Sequence, residues 1–101
     1  MPVSEPARSL ARVIAAAKTR AWREARKAEA DADAAIVRGL VKALDGHLSP
    51  EGRMKCRNGA VTVHQVVVEA MAGLSIASGL DAAVARDRVI ARLTVAATPR
   101  N

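Results

Sequence analysis

Leu10, Ile14, Ala17, Ala21, Ala25 and Ala28 recur at steps of three and four residues, the spacing that places side chains on one face of an α-helix. At about 100° per residue, Arg8, Arg12, Arg20, Arg23, Arg26 and Lys27 gather on the opposite side. The first element therefore reads as an amphipathic helix with a thin apolar seam and a basic back. Its start is expected near Ser4 or Pro6, because proline suits a first turn and Glu5 lies where the helix dipole favours an acid. Beyond residue 30 the pattern changes. Ile36, Val37, Leu40, Val41 and Leu44 form a second stripe, rotated by more than a third of a turn from the first. Two arrangements satisfy this: one long, bent or partner-spanning helix, or two helices that divide between Glu29 and Ala34, with Asp31 or Asp33 as a cap. Asp45-Gly46 supplies a stop, with Gly46 suited to the left-handed residue after a last turn.

Residues 53–64 read as a β-hairpin around Asn58-Gly59, a pair that tolerates the positive φ of a tight primed turn. The implied register pairs Cys56 with Val61 and Met54 with Val63 on an apolar face, and Lys55 with Thr62 and Arg53 with His64 on a basic one. The rival reading makes Thr62 a helix cap, with Gln65 completing a capping box. The hairpin is preferred here. Val66, Val67, Ala70, Met71 and Leu74 then carry a helix that ends by Gly79, although the β-branched run Val66–Val68 weakens its start. Asp81 caps a last helix with Ala82, Ala85, Val89 and Leu93 on its apolar side. Thr98 to Asn101 form a frayed tail. The fold class is mainly α: one small helical domain over residues 1–101, with three or four helices and a short β-hairpin near residues 53–64. It divides into a basic amphipathic region (1–46), the hairpin (53–64) and a helical pair (65–97).

Composition sharpens this picture in one respect. Alanine accounts for 23 residues, against 12 Val, 7 Leu and 4 Ile, with one Trp and no Phe or Tyr. Burial contributes roughly 25 cal/mol per Å², and alanine has little area to bury. The core is thin for a 101-residue chain, so a homodimer or another oligomer is expected to complete it. Charge adds a second point. The net charge is +6, and residues 8–27 hold seven basic residues against the single acid Glu24, so the excess lies entirely in that window. Such localisation suits a polyanion, a negative membrane surface or an acidic protein. The lone Cys56 has no internal partner and points to a reducing cytoplasm. No signal peptide and no membrane span are read, since no apolar run approaches about 18 residues.

The inventory for chemistry is sparse. A Cys56–His64 nucleophile pair is set aside, because the proposed register puts the two on opposite faces. A zinc site from His47, Cys56 and His64 lacks a fourth ligand and the paired spacing of structural zinc motifs. The glycines are scattered singly, without a phosphate-binding loop, and the acids form no evident acid/base pair. Neither an enzyme, a cofactor, a metal nor a small-molecule substrate is expected. What remains are surfaces. The basic arc is also an ordinary solvated helix face, but as function it would neutralise phosphates without reading sequence. Arg53, Lys55 and Arg57 would add a second contact from the hairpin, as β-ribbons do. Trp22 lies off both stripes and would pack across a helix contact or anchor a partner protein. Aromatic stacking platforms for single-stranded nucleic acid are missing. A ribbon-helix-helix fits the lengths of residues 60–96 but not the usual pattern of its first helix, and a helix-turn-helix fits worse. The functional expectation is a cytoplasmic, DNA-associating regulatory or accessory protein that contacts phosphates through the first helix and the hairpin. The alternatives are a phage- or plasmid-type adaptor or inhibitor docking on an acidic protein, and a structural subunit of a larger assembly.

Overall fold

A computed structural model describes residues 5–99; Ser4 and the tail residues Arg100 and Asn101 lie outside them. Helix α1 runs without a break from Glu5 to Ala43, 39 residues or about 58 Å at 1.5 Å per residue. The alanine-rich stretch around residue 30 continues the helix rather than dividing it, since alanine is the best helix former. Asp31 and Asp33 are interior helical residues and cap nothing. After α1 come strands β1 (Gly46–Leu48) and β2 (Met54–Cys56), then helices α2 (Val63–Ser78) and α3 (Ala82–Ala97). The chain is thus mainly helical, with a short two-stranded antiparallel hairpin between α1 and α2.

Helices α2 and α3 pack on the C-terminal half of α1 alone. Lys42 meets Glu69 in the first half of α2, whereas Ala28 lies near Ser78 at its end, so α2 runs antiparallel to α1. The molecule extends 69 × 34 × 29 Å with a radius of gyration of 19.9 Å, well above the roughly 13 Å of a compact chain of this length.

The buried core is small, as the composition implies. Ala32 and Ala35 of α1, Val67, Ala70 and Leu74 of α2, and Ala85 and Val89 of α3 form it, with Ile36, Met71, Leu80 and Leu93 packed around them. The seam is narrow because glycine and alanine let backbones meet. A Cβ placed on the buried Gly39 would stand 2.8 Å from the Ala70 nitrogen and 3.1 Å from the Val66 carbonyl oxygen. This corrects the two-stripe reading. The first stripe does not end at Ala28 but continues through Ala32, Ala35, Gly39 and Ala43 at the same steps of three and four. Its members at 10, 21, 32 and 43 repeat every 11 residues, a period close to that of a straight helix. Of the larger second stripe, Ile36 borders the core while the rest stays outside it: Val37 is 61% exposed and Leu40 40%, with Val41 and Leu44 half-buried. Small side chains win this face because larger ones would hold the helices apart.

The hairpin is also displaced from the segment expected. It spans residues 46–56, with Gly46 opposite Cys56, His47 opposite Lys55 and Leu48 opposite Met54. Its turn is Ser49-Pro50-Glu51-Gly52. Gly52 N–H donates to the Ser49 carbonyl at 2.9 Å and Ser49 N–H to the Arg53 carbonyl at 2.7 Å. Pro50 pre-sets φ at the second position, Gly52 takes φ +82°, and the buried Ser49 accepts from Arg53 N–H through its hydroxyl. Asn58-Gly59 forms no turn of this kind, and the expected pairs of Cys56 with Val61, Met54 with Val63, Lys55 with Thr62 and Arg53 with His64 are not made. Asn58 instead closes the end of α1. Its side-chain amide donates to the Ala43 carbonyl (2.9 Å) and its N–H to the Leu44 carbonyl (3.0 Å). The left-handed residue after α1 is Asp45 (φ +49°) rather than Gly46.

The rival reading of Thr62 holds. Its hydroxyl accepts from Gln65 N–H at 3.1 Å and Gln65 Oε1 accepts from Thr62 N–H at 2.8 Å. This reciprocal box satisfies two otherwise free donors and commits Val63 and His64 to a helix. Gly79 (φ +64°) ends α2 as expected. Asp81 occupies the cap position of α3, but its side chain makes no capping bond.

Candidate functional site

The fold leaves residues 6–27 of α1 exposed throughout, a free-standing arm about 33 Å long. Arg8, Arg12, Arg20, Arg23, Arg26 and Lys27 project from it over one arc, and the distance along the axis from the first to the last is about 28 Å. Among the described residues, five of these six have no ion-pair partner. The exception is Arg26, which meets Glu29 at 3.1 Å and lies with its guanidinium carbon 5.3 Å from the centre of the Trp22 ring. Trp22 belongs to no core within this chain, being 59% exposed.

Arg53, Lys55 and Arg57 are exposed on and beside β2. Lys55 shares a face with His47, while Met54 lies on the other, toward Val41. Arg57 is within 3.5 Å of Asp45. The hairpin follows the C-terminal end of α1 and the arm forms the N-terminal one, so roughly 40 Å of helix separates their centres. Each group of basic residues is local, and the structure does not bring the two together.

A polar lock sits where the arm leaves the body. Arg92 of α3 donates from Nε to Asp33 Oδ1 (2.8 Å) and from Nη2 to Asp33 Oδ2 (3.1 Å), and its Nη1 lies 3.7 Å from Glu29. Through Glu29 the contacts run on to Arg26 and Trp22. The hydrogen bonds from Arg92 hold the Asp33 carboxyl below its ordinary range; partial desolvation opposes this, and the Arg92 charge reinforces it. The same bonds raise Arg92. Sequence reasoning missed this pair because its members lie 59 positions apart and share no local spacing.

The chemistry-bearing side chains are dispersed. Cys56 is exposed on β2, His47 on β1, and His64 in the first turn of α2. Among the described residues no three His, Cys, Asp or Glu side chains come together as metal ligands. A cleft of about 610 Å³ at the shoulder of the arm is lined by both signs of charge, including Glu24, Lys27, Asp31 and Arg88. No helix among the described residues is long and apolar enough to cross a membrane. In comparisons with protein-family models, curated proteins and solved structures, the chain matches none.

Proposed function

We propose that the chain is a non-enzymatic, DNA-associating regulatory or accessory protein of a reducing cytoplasm, and that its arm is the phosphate-contacting element. One observation carries this reading: a projecting helix whose basic arc is exposed along its whole length and, among the described residues, almost free of internal ion pairs. A major groove about 12 Å wide admits such a helix, and Arg and Lys on it act by displacing condensed counterions. The hairpin basics Arg53, Lys55 and Arg57 supply a second contact about 40 Å away, a little more than one turn of duplex.

The test is duplex binding by fluorescence anisotropy over a salt series. At about 150 mM salt, where exposed charges are screened beyond about 8 Å, the intact chain should still bind. Replacing Arg12, Arg20, Arg23 and Lys27 by Gln should weaken binding to every duplex alike and flatten the slope of log K against log salt by roughly 0.9 per lost contact. Absence of duplex binding by the intact chain at that salt overturns the reading. A protein partner then takes its place. That second reading is favoured by Val37, exposed in a shallow cleft with Arg38 and Lys42, and by Leu48 and Met54, exposed on the hairpin, where a phosphate backbone has no use for them.

A further inference from the structure

The arm has a second face. Leu10, Ile14, Ala17, Ala21 and Ala25 lie opposite the basic arc and are all exposed, with Leu10 at 60% and Ile14 at 46%. They belong to the same line of side chains that, from Ala32 onward, is closed by α2 and α3. One uninterrupted packing face thus runs the length of α1, covered over its C-terminal half and bare over its N-terminal half. A helix of some 22 residues without tertiary contacts is marginal in water, since most helical stability in proteins comes from packing an apolar face. The body has little surplus to lend, because Leu74 and Val89 are its largest fully buried side chains.

We infer that the bare half is covered by the same face of a second copy, running antiparallel. The order of side-chain sizes carries this choice. With the two-fold axis near residue 17, Leu10 and Ile14 of each copy lie over Ala25 and Ala21 of the other, so large faces small on both sides of a close Ala17–Ala17 crossing and the surface complements itself. A parallel pair would stack large on large at the tips and alanine on alanine below, and would splay. Among charged residues of the arm, only Lys18 and Glu24 border the seam closely. Pairing therefore leaves Arg8, Arg12, Arg20, Arg23, Arg26 and Lys27 on the outside of the dimer, at its two backs. The inference does not depend on the nucleic-acid reading, and it is tested without DNA.

The full chain is measured by light scattering and sedimentation at about 150 mM salt and roughly 100 μM, where a micromolar interface is saturated. A dimer is expected. Ala21→Glu on the seam should weaken it at least about tenfold, whereas Ala16→Glu on the outer side should not. Neither residue contacts the body, so circular dichroism at low concentration should show α2 and α3 intact in both. Orientation is read by disulfide formation in a Cys56→Ser background. Ala17→Cys should cross-link to its symmetry mate, and Leu10→Cys, about 22 Å from its own mate in the antiparallel pair, should not. A monomer at that concentration overturns the inference, as do Ala16→Glu and Ala21→Glu with equal effects, or cross-linking that is equally efficient at both positions or absent at both.

Discussion

Gly39 is where helix propensity and packing demand opposite outcomes. In an exposed helix interior, replacing Gly by Ala stabilises by roughly 1 kcal/mol, because the unfolded chain loses freedom that the helix does not use. At Gly39 the new methyl carbon would lie 2.8 Å from the Ala70 nitrogen, 3.1 Å from its Cα and 3.1 Å from the Val66 carbonyl oxygen. All three are backbone atoms, so no side chain can swing aside. To reach ordinary contact near 3.5 Å, α2 must retreat by about 0.7 Å. A gap of that size forfeits a quarter to a half of the dispersion well wherever it opens, here among Ala32, Ala35 and Ala70, which have no flexible atoms to refill it. Overpacking of this kind costs about 1–3 kcal/mol. Less the propensity gain of roughly 1 kcal/mol, Gly39→Ala should fall between neutral and about 2 kcal/mol destabilising, each kcal/mol lowering the melting temperature by roughly 4–8 °C. Gly73, also inside a helix, has nothing within 4 Å of its added carbon, and Gly73→Ala should raise stability by about 0.5–1 kcal/mol. Urea unfolding followed at 222 nm, at one fixed protein concentration, measures both. A Gly39→Ala protein stabilised over its parent as much as Gly73→Ala would refute the close approach of α1 and α2.

The other expectations are briefer. Thr62→Ala removes half of the capping box and should cost about 0.5–2 kcal/mol in the same unfolding assay; no loss would show that the box is not formed in solution. Asn58→Ala, which removes the side-chain bond to the Ala43 carbonyl and keeps the backbone bond to Leu44, should cost about 1 kcal/mol, while Gly59→Ala should be close to neutral because Gly59 does not take a positive φ; the opposite order would restore the Asn58-Gly59 turn. Asp33 titrates below its ordinary range in the folded state, so the stability it contributes is present above that range and is lost as pH falls through its folded value. Acid titration of stability should therefore show a smaller decline below about pH 4 for Asp33→Asn than for the parent, and equal declines would remove Asp33 from the account.

The helical class, the end at Gly79 and the basic arc are legible because each rests on local spacing, whereas the start at Thr62 stands in the sequence only as the rival to the hairpin. The long first helix is ambiguous in sequence because side-chain size alone does not mark the face that is buried. Val37, Leu40 and Val41 outweigh Ala32, Ala35 and Gly39 in hydrophobicity, yet the small residues permit the closer approach and take the core. The regular continuation of the first stripe at three and four was the signal that could have found it. The hairpin was misplaced for a related reason. Asn58-Gly59 is the stronger two-residue turn signal, but Thr62 and Gln65 compete for the strand that would follow it, and Ser49-Pro50-Glu51-Gly52 supplies a four-residue turn upstream. The Arg92–Asp33 lock and the isolation of the arm depend on tertiary placement, which no window of sequence displays.

Because α1 is one rigid rod shared by arm and body, arm length in this protein is under a phase constraint. Each residue inserted or deleted near position 30 turns the arm by about 100° about the rod axis and moves it by about 1.5 Å. A single insertion would swing Leu10 and Ile14 a quarter-turn or more out of line with Ala32 and Gly39, leaving the axial reach almost unchanged. Changes of about 7 or 11 residues keep the two halves in line, to within a small drift. Length variation in this segment of related chains should therefore come in such steps, as it does in an element that transmits orientation rather than merely spanning a distance.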